Sequence, residues 1–231
     1  MFPEEKQMTT ATAESATPGT PDSTAALERD GAWAHGAAPR RFAIAVVVLA
    51  SIGLVASFAL ILERIAILED PSHVPSCSFN ALVSCTEAMK STQGALFGFP
   101  NPLIGVMAFP VVIATGAALI GGARLARWYW IGLQVGVVLA LVFVHFLIYT
   151  SLYVLGALCP YCMVVWAVTI PLFVMVTQRN LRLLPSDPTS GPARAGRWLQ
   201  AYQAPVLAAW FLVIAALAVV QFWDFFIALF A

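Results

Sequence analysis

Charge is what this chain has least of. Asp, Glu, Lys and Arg make up 10% of its 231 residues and cancel to a formal net charge of zero, against roughly 25% charged residues in an ordinary soluble domain. A chain so poor in ions is not built to expose its surface to water, and without a basic excess it offers no footprint for nucleic acid. Cysteine is scarce too, at four residues. Only Cys159 and Cys162 have Cys-x-x-Cys spacing, so a zinc site made of paired ligands has no second such pair to draw on. No internal inverted repeat is apparent and few polar residues interrupt the apolar stretches, which argues against a transporter. The first apolar run begins only after some forty residues and is long enough to span, so it is not expected to be a cleaved leader.

What remains is apolar: 60% of the residues, arranged in runs of about twenty, the length that crosses the hydrocarbon of a bilayer. The sequence therefore predicts an all-α polytopic membrane protein with five spans. They are expected from Phe42 to about Leu62, Pro100 to Gly121, Trp128 to about Tyr153, Leu158 to Thr177, and Ala204 to Phe230. Ahead of them, residues 1–39 are rich in Thr, Ala, Ser, Pro and Gly without apolar periodicity and are expected to be a disordered tail, in which Trp33 and His35 have no evident task. Residues 178–203, with Pro185, Pro188 and Pro192, are expected to form a loop before the fifth helix at 204–231. No helical run is left over for a fused thioredoxin-like domain.

Orientation follows from the basic residues. The tail, the Arg124/Arg127 turn and the Arg179–Arg197 segment share one face and hold ten Lys and Arg, whereas Arg64 and Lys90 alone fall on the other. Positive residues stay on the cytoplasmic side. The N-terminus is thus expected in the cytoplasm, with Cys77 and Cys85, carried by the loop from Glu69 to Phe97, on the extracytoplasmic side. Cys159 and Cys162, at the head of the fourth span, share that side, in a compartment where disulfides persist.

A Cys-x-x-Cys at a helix start is suited to redox chemistry. Pro160 is tolerated in a first turn, and the unpaired N–H groups and positive dipole end there favour the thiolate, which is the attacking form. Two thiols two residues apart can close on each other after attack, as a two-electron thiol–disulfide relay requires. Inert structural disulfides, Cys77 with Cys85 and Cys159 with Cys162, are the alternative, in a structural or chaperone-like membrane protein. A Cys-x-x-Cys loop is so short that closing it constrains the unfolded chain weakly. Ser78 to Ser91 has a spacing compatible with a short amphipathic helix against the membrane face, with Cys85 in its middle. Electrons reaching Cys159 and Cys162 must leave again, and a lipid-soluble acceptor, a quinone, is the natural sink at that depth. Candidate polar contacts for it are Ser91, Asn101, and His145 with Tyr149 one turn apart on the third span; Gln134 and Asp224 are weaker candidates. For Asn101 the competing role is a helix cap, and for His145 and Tyr149 interhelical hydrogen bonding.

Cys77-x7-Cys85, Ser91 six positions beyond, the stretch Phe97-Gly98-Phe99-Pro100-Asn101-Pro102, and Cys159-Pro-Tyr-Cys162 at the head of the fourth span resemble the vitamin K epoxide reductase (VKOR) family in its bacterial, DsbB-like form. The resemblance covers about Phe42 to Thr177. It implies a four-helix bundle enclosing a quinone and capped by the cysteine loop, in the cytoplasmic (inner) membrane of a bacterium. It further implies that Cys77 faces a protein partner, Cys85 exchanges with Cys159, and Cys162 reduces the quinone, with Ser91, Phe97 and Asn101 contacting it. Trp166 stands where many members place a quinone-facing tyrosine; an indole can still pack against a ring and donate one N–H. The implied activity is oxidation of a secreted thioredoxin-like (DsbA-like) protein at the expense of menaquinone or ubiquinone, with a vitamin K-like epoxide or quinone as a further substrate.

Overall fold

The computed structural model describes residues 38–80, 82–183, 189–223 and 227. The expectations for the tail up to residue 37, with Trp33 and His35, and for Asp224 lie outside the described residues. Helix α1 is Arg40–Glu69, α2 the short Thr86–Lys90, α3 Pro102–Ile120, α4 Arg127–Tyr149, α5 Pro160–Leu183, α6 Gly191–Ala201 and α7 Gln203–Gln221. A 3₁₀ turn, Thr92–Ala95, follows α2, and a π turn, Thr150–Leu155, extends α4. Five of these units, α1, α3, α4 with its π turn, α5 and α7, are long and apolar enough to cross a membrane. The chain is thus a multi-spanning all-α membrane protein with a cysteine-bearing loop at one end.

Small residues set the closest packing. A Cβ on Gly53 of α1 would fall inside the Phe109 ring of α3, one on Gly105 would meet Ser57, and one on Gly116 would meet Val47 and the Ala43 carbonyl. In lipid, where apolar burial between helices gains little, such small residues let two backbones approach and gain dispersion contacts. Around this seam Phe42, Val46, Phe109, Trp130, Leu172 and Met175 form the core of the lower half. At the other end Leu60, Ile67 and Met89 pack with Cys77, Cys85 and Cys159. A third cluster joins Val144, Ile148, Leu152 and Trp166 to Ile214, Ala218 and Phe222 of and just beyond α7, so the fifth helix rides on the outside of α4 and α5.

Four features differ from the sequence reading. The first span does not stop at Leu62: Glu63-Arg64 is followed by Ile65, Ala66, Ile67 and Leu68, and α1 runs two turns further to Glu69. It ends where Asp70 precedes Pro71, which drives Asp70 into the extended region at φ −131°, ψ 102°. The fourth span continues past Thr177 to Leu183, and the 178–203 segment, expected as a loop, contains α6. Pro192 lies in the first turn of α6, where its missing N–H costs nothing, and Gly196 lies directly against Leu181 and Arg182 of α5. The Ser78–Ser91 stretch is helical only from Thr86 to Lys90, and Cys85 is its N-cap rather than its midpoint.

Candidate functional site

The loop is held out of a helix by its own side chains. Asn80 Oδ1 accepts the N–H groups of Leu82 at 3.0 Å and Val83 at 2.7 Å, a local bond that competes with helix formation. Val83 is thereby free to pair in parallel with Leu158: the Leu158 N–H donates to Leu82 O at 2.7 Å and the Ser84 N–H to Leu158 O at 3.1 Å. Gly156, left-handed at φ 64°, turns the chain out of α4 toward that pairing. Cys85 follows Ser84 and Cys159 follows Leu158, so one short backbone contact carries both cysteines to the same place. Ser78 Oγ accepts the Cys85 N–H at 3.2 Å and steadies it.

The result is a chain of sulfurs. Cys77 and Cys85 form a disulfide, Cys85 Sγ lies 3.1 Å from Cys159 Sγ, and Cys159 and Cys162 are free thiols. Cys85 and Cys159 are thus within the distance at which thiol–disulfide exchange between the two pairs takes place. Hydrogen bonding from the Cys162 thiol, helped by the N–H groups of Cys162 and Tyr161 in the first turn of α5, holds the Cys159 pKa below the ordinary thiol value. Cys77, Cys85 and Cys159 have their sulfurs within 4.8 Å of one another. Zinc binds thiolates, and here two of the three sulfurs are joined to each other. Cys77 is only 3% exposed and Cys85 and Cys159 are fully buried, so an outside thiol reaches Cys77 only after the loop moves.

Beneath the sulfurs lies a cavity of about 1000 Å³ between α3 and α4, closed behind by α1 and α5. Cys162 lines it, as do Ser91, Phe97, Asn101 and Trp166. It runs from Thr150 to Trp128 along the wall of α4, a rise of roughly 33 Å at 1.5 Å per residue. Asn101 stands at the N-cap position of α3, but its side chain makes no capping bond. Its Oδ1 accepts the Leu96 N–H at 3.1 Å and its Nδ2 donates to Gln93 O at 2.6 Å, so it ties the 3₁₀ turn to the head of α3 and retains one amide hydrogen. Ser91 donates to Ala88 O at 2.9 Å and accepts the Gly94 N–H at 3.0 Å. Trp166 Nε1 is buried without a hydrogen-bond partner. Phe97 packs on Phe99 and on Phe143 of α4.

His145 and Tyr149 are not brought to this cavity. His145 Nδ1 bonds to Leu141 O at 2.9 Å, and its Nε2 accepts the Trp210 indole N–H of α7 at 3.1 Å. Tyr149 is 58% exposed and packs on Tyr153. Both had the right depth but face outward, the first toward the fifth helix. Gln134 donates to Thr177 and accepts from Asn180 at the far end of the bundle. The sequence reading missed Arg64, Ser57 and Thr169, which also line the cavity, and it missed Glu63, which binds the loop beside Cys77. An acid within an apolar run was the available signal for Glu63.

The sequence model of the vitamin K epoxide reductase family matches residues 44–177, more than half of the chain. No curated protein matches it significantly.

Proposed function

The chain belongs to the vitamin K epoxide reductase family, and from that premise we propose that it is a quinone-dependent thiol oxidase, reoxidising a secreted thioredoxin-like, DsbA-like protein. The observation that carries this reading is the continuous path of sulfur from loop to cavity: Cys85, bonded to Cys77, touches Cys159, and Cys162 of the same Cys-x-x-Cys lines the apolar chamber. A partner dithiol exchanges with the Cys77–Cys85 disulfide, leaving the partner oxidised and Cys77 and Cys85 as thiols. Cys85 then attacks Cys159 in the Cys159–Cys162 disulfide, and Cys77 closes on Cys85, so that the electron pair passes inward. The arrangement in the structure, loop pair bonded and inner pair reduced, corresponds to the moment after that transfer.

The chamber fits a prenylated quinone in three respects. Its walls are nearly all apolar, its length suits an extended tail, and Trp166 Nε1 and the second Asn101 amide hydrogen are donors without partners for carbonyl oxygens. A bound quinone supplies an acceptor for two electrons and two protons. Cys162 and Cys159 release both as they join in a disulfide, and the apolar side chains of the clusters against which Cys162 packs, Met89 in one and Ile148 and Trp166 in the other, keep water from competing at the sulfur. Menaquinone and ubiquinone are the proposed classes, with vitamin K epoxide a further substrate of the same chamber. All four cysteines lie at the end of the bundle remote from Arg40, Arg124 and Arg182, and by the basic bias we place that end outside the cytoplasm. His145 and Tyr149 have no part in this site.

The test is absorbance of quinol formed when a reduced thioredoxin-like protein is supplied to the full chain with quinone. Cys162→Ala is expected to abolish it while a Cys85–Cys159 mixed disulfide accumulates. Quinol formation that survives in Cys162→Ala refutes the assignment.

A further inference from the structure

The last turns of α1 and the cysteine loop are joined by a carboxylate that the relay itself does not use. Glu63 Oε1 accepts the Ser76 N–H at 3.1 Å and also the Ser76 hydroxyl, and Oε2 is 2.9 Å from His73 Nε2. The Glu63 side chain is 15% exposed. At the other end of the same link, Asp70 Oδ1 accepts the Ser72 N–H at 2.9 Å and its hydroxyl at 2.6 Å. Ser76 stands between fully buried Pro75 and buried Cys77, yet is itself at the surface. Its hydroxyl is also 3.5 Å from the Tyr161 hydroxyl, inside the Cys-x-x-Cys. The handle of the loop is therefore outside while the sulfur behind it is not.

We propose that Glu63 is a positioning residue that latches the Ser76–Cys77 segment over the relay, so that the Cys77–Cys85 disulfide opens to a protein dithiol able to displace Ser76 and stays closed to small thiols. In the exchange, a partner thiolate bonds to Cys77 Sγ and the Cys85 sulfur leaves with the electron pair of the broken S–S bond. The partner's second thiol then displaces Cys77, so one disulfide is made, one is broken, and two electrons pass to the loop. Breaking that bond in the latched state requires access to a sulfur that is 3% exposed. A macromolecule can compete for exposed Ser76 and for the partly exposed His73 before it reaches the sulfur; a small thiol gains nothing from those contacts. The partner's identity rests on the oxidase reading, and the latch itself does not.

The experiment is the initial rate at which dithiothreitol reduces the Cys77–Cys85 disulfide in the full chain in nanodiscs without quinone, for the wild type, Glu63→Ala, Glu63→Gln and Ser76→Ala. Local opening controls such a rate, and loss of hydrogen bonds to a charged acceptor is expected to raise it about tenfold to a hundredfold in Glu63→Ala. Glu63→Gln, whose amide oxygen still accepts the Ser76 N–H, is expected in between, as is Ser76→Ala, which keeps the same N–H. These two milder variants decide the matter if Glu63→Ala does not fold. Maleimide labelling of Cys162 in the cavity is expected to stay at the wild-type rate. An unchanged dithiothreitol rate overturns the latch, and so does a parallel rise at Cys162, which marks general loosening. A wild type that makes no quinol from a reduced thioredoxin-like protein overturns the oxidase reading instead, and leaves the dithiothreitol comparison intact.

Discussion

Replacing Asn101 with alanine removes two kinds of interaction that fail by different measures. The first is structural: the Leu96 N–H loses its acceptor and Gln93 O loses a donor 2.6 Å away. Leu96 is 48% exposed, so water can take over part of that role. Each bond is then worth about 0.5–1.5 kcal/mol rather than a full desolvation penalty, and the pair about 1–3 kcal/mol. On the scale of soluble domains of this size that is a fall of roughly 2–12 °C in melting temperature. The second interaction is proposed: the free Nδ2 hydrogen donating to a quinone oxygen. Its loss in an apolar chamber costs about 1–3 kcal/mol, or about tenfold to a hundredfold in quinone KM if binding bears it all. Asn101→Asp keeps the acceptor for Leu96 but loses both amide hydrogens, so it retains one of the two structural bonds while losing the proposed quinone donor. Both variants are measured for detergent-solubilised melting and for quinone KM. A melting loss with unchanged KM in both removes Asn101 from the quinone site and leaves Trp166 and Ser91 to be tested; unchanged melting in Asn101→Ala refutes the tie between the 3₁₀ turn and α3.

In intact cells a membrane-impermeant maleimide is expected to label Cys77 or Cys85 after mild reduction, while a cysteine introduced at Ala195, exposed on α6, is protected until the membrane is opened; early labelling at 195 inverts the proposed orientation. With Cys77 and Cys85 both replaced by alanine, Cys159 is expected to alkylate with a pH midpoint below that of an ordinary thiol, because Cys162 stabilises the thiolate over the thiol. Adding Cys162→Ala is expected to move that midpoint upward, and an equal midpoint with and without Cys162 refutes the cause. Trp210→Phe removes the N–H donor to His145 and is expected to cost about 0.6 kcal/mol of helix association, read as a small fall in melting temperature with quinone KM unchanged. A large change in quinone KM there would return His145 to the site.

The spans were legible because a run of twenty apolar residues has few other uses, and the four cysteines because topology by charge alone put them at one end. Where the reading failed, a specific side-chain or backbone hydrogen bond that periodicity does not register had decided the matter. Ser78–Ser84 has a helical spacing of apolar residues, but Asn80 and the backbone of Leu158, some 75 positions on, give its N–H groups better partners. His145 has the depth of a quinone contact, and only the angular position of α4 sends it to Trp210 instead. Asn101 stood at the start of a helix as a cap would, and its side chain reaches backward to Gln93 and Leu96. Glu63 was visible as an acid in an apolar run, but the hydrogen bonds that occupy it come from beyond the Asp70-Pro71 break.

The π turn at Thr150–Leu155 bears on which sequence changes the chain can accept. Such a turn is a helix carrying one residue more than regular winding needs. Deleting that residue can be absorbed by a return to regular winding, with the chain after it nearly in phase, whereas deleting one from the regular turns of Arg127–Tyr149 would rotate everything after it by about 100° and draw it back by about 1.5 Å. Leu158 would then leave its place beside Leu82 and Ser84, and Cys159 its place beside Cys85. The turn is thus the one stretch of the third span where a change in residue number can be taken up locally. Relatives that lack the turn are therefore expected to have one residue fewer between the third helix and the Cys-x-x-Cys.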